Sequence, residues 1–182
     1  LGLLYLISVL RDAGYSTALL NADFLGLSID RTVDAALRFS PEIIGLSICE
    51  RTVEVASSLV SALRCRGYNG DIIAGGFYPT LNPIEFFRYF PSINTIAIGE
   101  SEDTIVDLLK TGIGQSNIPG TAFRSTEICI NKPRSSIDNL DRLPFPARDW
   151  LLASYERIGY ATIHSSRGCY GRCTFCSQRA FD

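Results

Sequence analysis

Short, continuously apolar runs alternate with helix-period stretches through residues 3–110, and that alternation admits few folds. Residues 43–48, Ile-Ile-Gly-Leu-Ser-Ile, are apolar almost throughout, the pattern of a strand buried on both faces. Residues 17–22, 71–75 and 95–98 read as further strands. Residues 3–13, 29–39 and 52–66 carry helical periodicity, and Val53, Ala56, Leu59, Val60 and Leu63 fall on one face of the last. Asn82-Pro83-Ile84-Glu85 opens a short helix, with the asparagine as cap and the proline in the first turn. Ser101 caps a helix running to Lys110, with Glu102 and Asp103 in the turn where the helix dipole favours negative charge. Strands joined by helices pair in parallel through crossover connections. The expected fold is therefore α/β, an open parallel sheet with helices on both faces.

Beyond Gly112 the pattern changes. Residues 120–124 and 128–132 predict a small antiparallel hairpin, and residues 133–148 a linker containing Leu-Pro-Phe-Pro-Ala-Arg-Asp. Residues 160–165 predict a new strand leading into a cysteine-rich loop, and Trp150 is expected to anchor the connection. The expected division is a front domain at 1–132, a linker at 133–158 and the opening of a second domain at 159–182. The chain has no methionine, begins inside an apolar run and stops just after the cysteines, so it reads as a piece of a longer protein.

Net charge is only −2 and the positive residues are scattered, which excludes the basic stripe that tight nucleic-acid binding needs. The apolar runs are too short to span a bilayer, and no export signal is visible. Three of the six cysteines crowd into eight residues while the others stand alone, which disfavours a disulfide framework and makes a reducing cytoplasm the expected setting. Cys65 and Cys129 read as structural, and Cys49 as a small apolar filler in preference to a ligand-facing residue.

The remaining cysteines form C-x3-C-x2-C at Cys169, Cys173 and Cys176. Thiolates are soft ligands for zinc, copper(I) or iron–sulfur clusters. A structural zinc site normally takes four ligands, and only three are close here; His164 reads better as a hydrogen-bonded strand residue than as the fourth. A [4Fe–4S] cube on three cysteines leaves one iron open to another ligand. Gly168 and Gly171 let such a loop fold tightly. A zinc knuckle completed by a ligand outside this stretch, or a disulfide, remains the bland alternative. Arg167 and Arg172 are placed either to counter charge at this loop or to be solvated.

Cys169-Tyr-Gly-Arg-Cys173-Thr-Phe-Cys176, preceded by Ser-Arg-Gly, resembles the signature of the radical S-adenosylmethionine (SAM) superfamily. The resemblance implies that the three cysteines hold a [4Fe–4S] cluster, that SAM chelates its open iron and is cleaved to a 5′-deoxyadenosyl radical, and that Phe175 borders the SAM adenine. It also implies the first strand and cluster loop of a partial (β/α) barrel. The front half adds Leu-Gly-Leu-Leu-Tyr-Leu, Ile-Ile-Gly-Leu-Ser, Ala-Gly-Gly-Phe-Tyr-Pro-Thr, Ile-Gly-Glu-Ser-Glu and Leu-Asp-Arg-Leu-Pro-Phe-Pro. Together these are similar to the B12-binding radical SAM family over essentially the whole chain. That resemblance implies a Rossmann-like, cobalamin-binding sheet lacking its first strand, with Ser47, Gly75, Gly76, Thr80, Gly99 and Glu100 around the corrin.

The implied activity is methyl transfer to an unactivated carbon, or a related rearrangement or cyclisation, by a longer enzyme of which this stretch alone would be inactive. No residue here is assigned as catalytic. The implied partners are a small-molecule, peptide or lipid substrate and a reductant such as flavodoxin or ferredoxin. Two rivals stand: a radical SAM enzyme whose front domain no longer binds cobalamin, and a non-catalytic zinc-binding interaction module. A methylthiotransferase, whose front domain carries three cluster cysteines, is a poorer match because Cys49, Cys65 and Cys129 are unevenly placed.

Overall fold

The computed structural model describes residues 1–114, 117–149 and 162–181. Helix α1 spans Gly2–Asp12, α2 Ile29–Arg38, α3 Val53–Cys65, α4 Phe77–Leu81, α5 Pro83–Tyr89, α6 Glu102–Thr111 and α7 Gln178–Phe181. Strands β1 (Ile43–Ser47), β2 (Asp71–Gly75), β3 (Thr95–Ala97), β4 (Thr121–Arg124) and β5 (Ile128–Ile130) form one sheet in the order β1-β2-β3-β4-β5. β1, β2 and β3 are parallel, with Ser47 beside Gly75 and Ala74 beside Ile96. β4 and β5 add an antiparallel hairpin, with Ile96 facing Ala122.

Side chains alternate across a strand, and β2 divides two cores on that rule. Ile72 and Ala74 join the core that contains α2, α3 and α5, while Ile73 joins Ile105, Leu108 and Ile118 on the face covered by α1 and α6. The first core centres on α5. Phe86, fully buried, stacks on Phe90 at 4.5 Å between ring centroids and meets Phe87 edge-on at 5.8 Å. Phe86→Ala should lower stability by about 3–5 kcal/mol, read as a lower urea midpoint at constant slope.

Some expectations fail on physical grounds. Residues 17–22 form no strand, because a strand needs a ladder partner and they pair with none among the described residues. Residues 162–165 form no strand either, and the rest of that expected strand, like Trp150, lies outside the described residues. Asn82 and Ser101 occupy helix starts without capping through their side chains. The Asn82 amide donates to Tyr78 O at 3.5 Å, and Ser101 Oγ to Gly99 O at 3.0 Å, so each serves the preceding turn. Cys49 is exposed and fills no core. Its thiol is held below the usual range, chiefly by the Thr52 hydroxyl at 3.6 Å.

The described part of the expected linker is strapped down. Arg134 pairs with Asp107 on α6 and donates to Thr104 Oγ1 at 2.9 Å, and Arg142 grips Asp103 with two bonds of 3.1 and 2.6 Å. Ser8 Oγ donates to Phe145 O at 2.7 Å, Ala147 N to Leu4 O at 3.1 Å, and Arg11 pairs with Asp149 at 2.9 Å. Hydrogen bonds from Arg142 are the main reason that the Asp103 carboxyl lies below its ordinary value. A carboxyl depressed by folding stabilises fully above its unfolded value, about 3.9, and loses that contribution as pH falls through its folded value. The pair is half-exposed, so Asp103→Asn should cost no more than about 1 kcal/mol at neutral pH. That difference should narrow as pH falls below the unfolded value and through the lower folded one, in paired urea titrations.

Candidate functional site

A cavity of about 450 Å³ opens at the carboxyl ends of β1, β2 and β3, where open α/β sheets bind ligands. Its floor includes Leu46, Ile73, Ala74 and Ala97. α1 contributes one wall through Gly2, Leu3, Tyr5 and Leu6; the far wall comes from His164, Ser166, Arg167, Gly168 and Phe181. The last group belongs to the segment that carries the cysteine loop.

The loop after β2 is shaped by Gly76, whose φ of +99° is a conformation that L side chains avoid. A Cβ there would lie 2.8 Å from Ile48 O and 3.1 Å from Ile48 N. That close approach lets Ile48 N donate to Gly75 O at 2.8 Å and Tyr78 N to Ile48 O at 3.1 Å, joining the ends of β1 and β2. Thr80 stands behind the rim, and its hydroxyl accepts from Gly99 N at 3.1 Å. Of the residues expected around a corrin, Ser47, Gly75, Gly76, Gly99 and Glu100 line the cavity; Thr80 supports the rim without lining it. Short side chains and glycines at three adjacent strand ends suit a flat, bulky ligand.

Cys169, Cys173 and Cys176 are exposed thiols outside the cavity, and Phe175 is 90% exposed beside them. The loop curls around Gly171, whose amide donates to Cys169 Sγ at 3.3 Å. A Cβ on Gly171 would meet Cys169 Sγ at 3.2 Å, a tight contact, and Cys173 Sγ at 3.8 Å, an ordinary one, so the glycine gives the first sulfur the most room. Among the described residues no three potential ligands are gathered into one metal-binding set. The donor chemistry fits an iron–sulfur cluster: three soft thiols, with an amide already aimed at one sulfur.

Sequence reading missed two contacts at the rim. Phe77 stacks on Phe181 with centroids 4.2 Å apart, joining the loop after β2 to α7. Arg167 turns away from the cysteines toward Glu100 and Glu102 and lies over the Tyr5 ring. Burial lowers the Arg167 pKa, but hydrogen bonds and charge from Glu102 and Glu100 outweigh it and raise the value, so the guanidinium stays charged.

The family model for the B12 binding domain matches residues 1–109. The chain belongs to the B12-binding domain family. This B12-binding domain is 31% identical to the anaerobic magnesium-protoporphyrin IX monomethyl ester cyclase of Synechocystis sp., over all of the chain and 38% of the cyclase. It is 28% identical to an uncharacterized methyltransferase of Pyrococcus horikoshii, over 98% of the chain and 40% of that protein. The chain thus spans about two fifths of the length of these relatives. Among solved structures, the cobalamin-dependent S-adenosylmethionine radical enzyme OxsB with aqua-cobalamin bound superposes with a TM-score of 0.81. Its identity is 26%, over 97% of this chain and 25% of OxsB. The resemblance to the B12-binding radical SAM family holds, and the α/β sheet is the Rossmann-like one of that family.

Proposed function

We propose that the full-length protein is a radical SAM enzyme using a [4Fe–4S] cluster and cobalamin, and that it methylates an unactivated carbon or carries out a related rearrangement or cyclisation. One observation carries this reading: a glycine-edged cavity at the ends of three parallel strands is walled by the segment bearing C-x3-C-x2-C. Cys169, Cys173 and Cys176 would hold the cluster, and Phe175 would border SAM. Ser47, Gly75, Gly76, Gly99 and Glu100 would border the corrin, with Thr80 fixing Gly99 from behind. When bound, the cluster with SAM supplies a carbon radical and the cobalamin a transferable methyl group. The chain's own residues bind and orient. Ile73, Ala74 and Ala97 give the cavity an apolar floor, and the Gly171 amide, which donates to Cys169 Sγ, would tune that thiolate once it held a cluster.

The expected division of the chain at 1–132, 133–158 and 159–182 belongs to the same proposal, as do a small-molecule, peptide or lipid substrate, a flavodoxin- or ferredoxin-type reductant and a cytoplasmic setting. Among the described residues no helix is long and apolar enough to cross a membrane.

The test uses the full-length protein, purified without oxygen and reconstituted with iron, sulfide and hydroxocobalamin. Cobalt, iron and acid-labile sulfide should all remain bound after desalting. Iron retained without cobalt would favour a front domain that only docks; zinc without sulfide would favour the non-catalytic module.

A further inference from the structure

Arg167 lies two residues before the first cysteine of the loop, yet its guanidinium is built into the front domain. Nη1 donates to Glu100 Oε1 at 2.8 Å and Nη2 to Glu102 Oε1 at 2.5 Å, while the cation sits 5.1 Å from the centroid of the Tyr5 ring. The three charged side chains are 20%, 13% and 5% exposed. The Arg66 group differs: Arg66, Asp34 and Asp30 are 45%, 55% and 80% exposed and hold little in place. A largely buried arrangement is geometrically demanding, because each charge left without its partner there is strongly disfavoured.

Glu100 is committed twice. Its second oxygen, Oε2, accepts from Ile137 N at 2.7 Å, in the strap. One carboxylate therefore joins the rim loop after β3, the strap and the segment leading into the cysteines. Two carboxylates around one guanidinium leave an excess negative charge. Glu102 opens α6, a helix of ten residues, whose N-terminal dipole favours that charge.

We propose that Arg167 is a positioning residue, a latch that fixes the cysteine loop against the rim of the strand-end cavity. It rests on the function proposed above only for what is positioned: cluster ligands on one side and the corrin site on the other. Reactions between two bound groups lose rate steeply when either is displaced by about 1 Å, which gives such a latch its use.

The experiment uses the full-length protein, first without cofactors. Backbone order parameters of residues 164–168, by NMR, should fall into the flexible range, below about 0.6, in Arg167→Met, while those of β2 are unchanged. Arg167→Lys, keeping the charge but not the two-point grip, should recover part of the order. Arg167→Met strands two carboxylates, which alone can prevent folding; for that reason Arg167→Met/Glu100→Gln/Glu102→Gln removes the buried charge and should still show the lower order. Unchanged order parameters in this neutral variant overturn the latch. The second readout is the magnetic interaction between cob(II)alamin and the reduced cluster, by electron paramagnetic resonance. It should weaken or become heterogeneous in the neutral variant, and an unchanged interaction overturns the positioning role. Failure of the parent protein to bind cobalt would instead count against the proposed function, with the order parameters still deciding the latch.

Discussion

Gly76→Val should destabilise the protein by about 2–5 kcal/mol, combining a strained backbone with a steric clash. At φ +99° a β-branched residue is in a region it essentially never occupies, and its Cβ would be driven to within 2.8 Å of Ile48 O. That neighbour is backbone held by the bond from Tyr78 N, so it has little freedom to retreat. A loss of this size is a large share of the 5–15 kcal/mol typical of a folded domain. Equilibrium urea unfolding provides the check, with Gly76→Ala as the milder member of the series. A midpoint within error of the parent would mean that the loop relaxes freely and that the glycine is not required. Cobalamin retention by the full-length variant should fall further than stability alone predicts, because the same loop forms the cavity rim.

The second expected result is loss of essentially all cluster iron from the full-length protein when Cys169, Cys173 and Cys176 are replaced together by alanine. Stability should shift by no more than about 0.5 kcal/mol, since all three side chains are exposed and support no core. Replacing Cys49, Cys65 and Cys129 instead should leave iron unchanged. Iron retained by the first variant, or lost from the second, would move the cluster elsewhere in the chain. Iron and sulfide analysis beside the absorption spectrum separates these cases.

Much of the architecture was legible because it rests on local pattern. The β2 strand runs over the residues its apolar run predicts, Asp71–Gly75, and the hairpin of β4 and β5 falls where turn chemistry places it. Other features depend on partners that a local pattern cannot supply. Residues 17–22 look like a strand but gain no ladder. The helical turn Phe77–Leu81 has no counterpart among the expected helices, being only five residues long and containing Pro79. The cavity-lining glycines were reached through the family resemblance and not through local pattern, and Tyr5, on the wall formed by α1, was not singled out at all. The partners of Arg167 stand 67 and 65 residues away in sequence, beyond the reach of any spacing rule.

The strap has a practical consequence for handling the molecule. Severing the chain after Lys132 would remove the ion-pair partners of Asp103, Asp107 and Arg11 and the strap bond of Ser8 at a stroke, baring the seam where α1 meets α6. A front half produced that way should be sticky and prone to self-association. Ending it after Asp149 keeps the seam covered, so the smallest piece worth expressing is set by where the chain is tied down rather than by where its last strand ends.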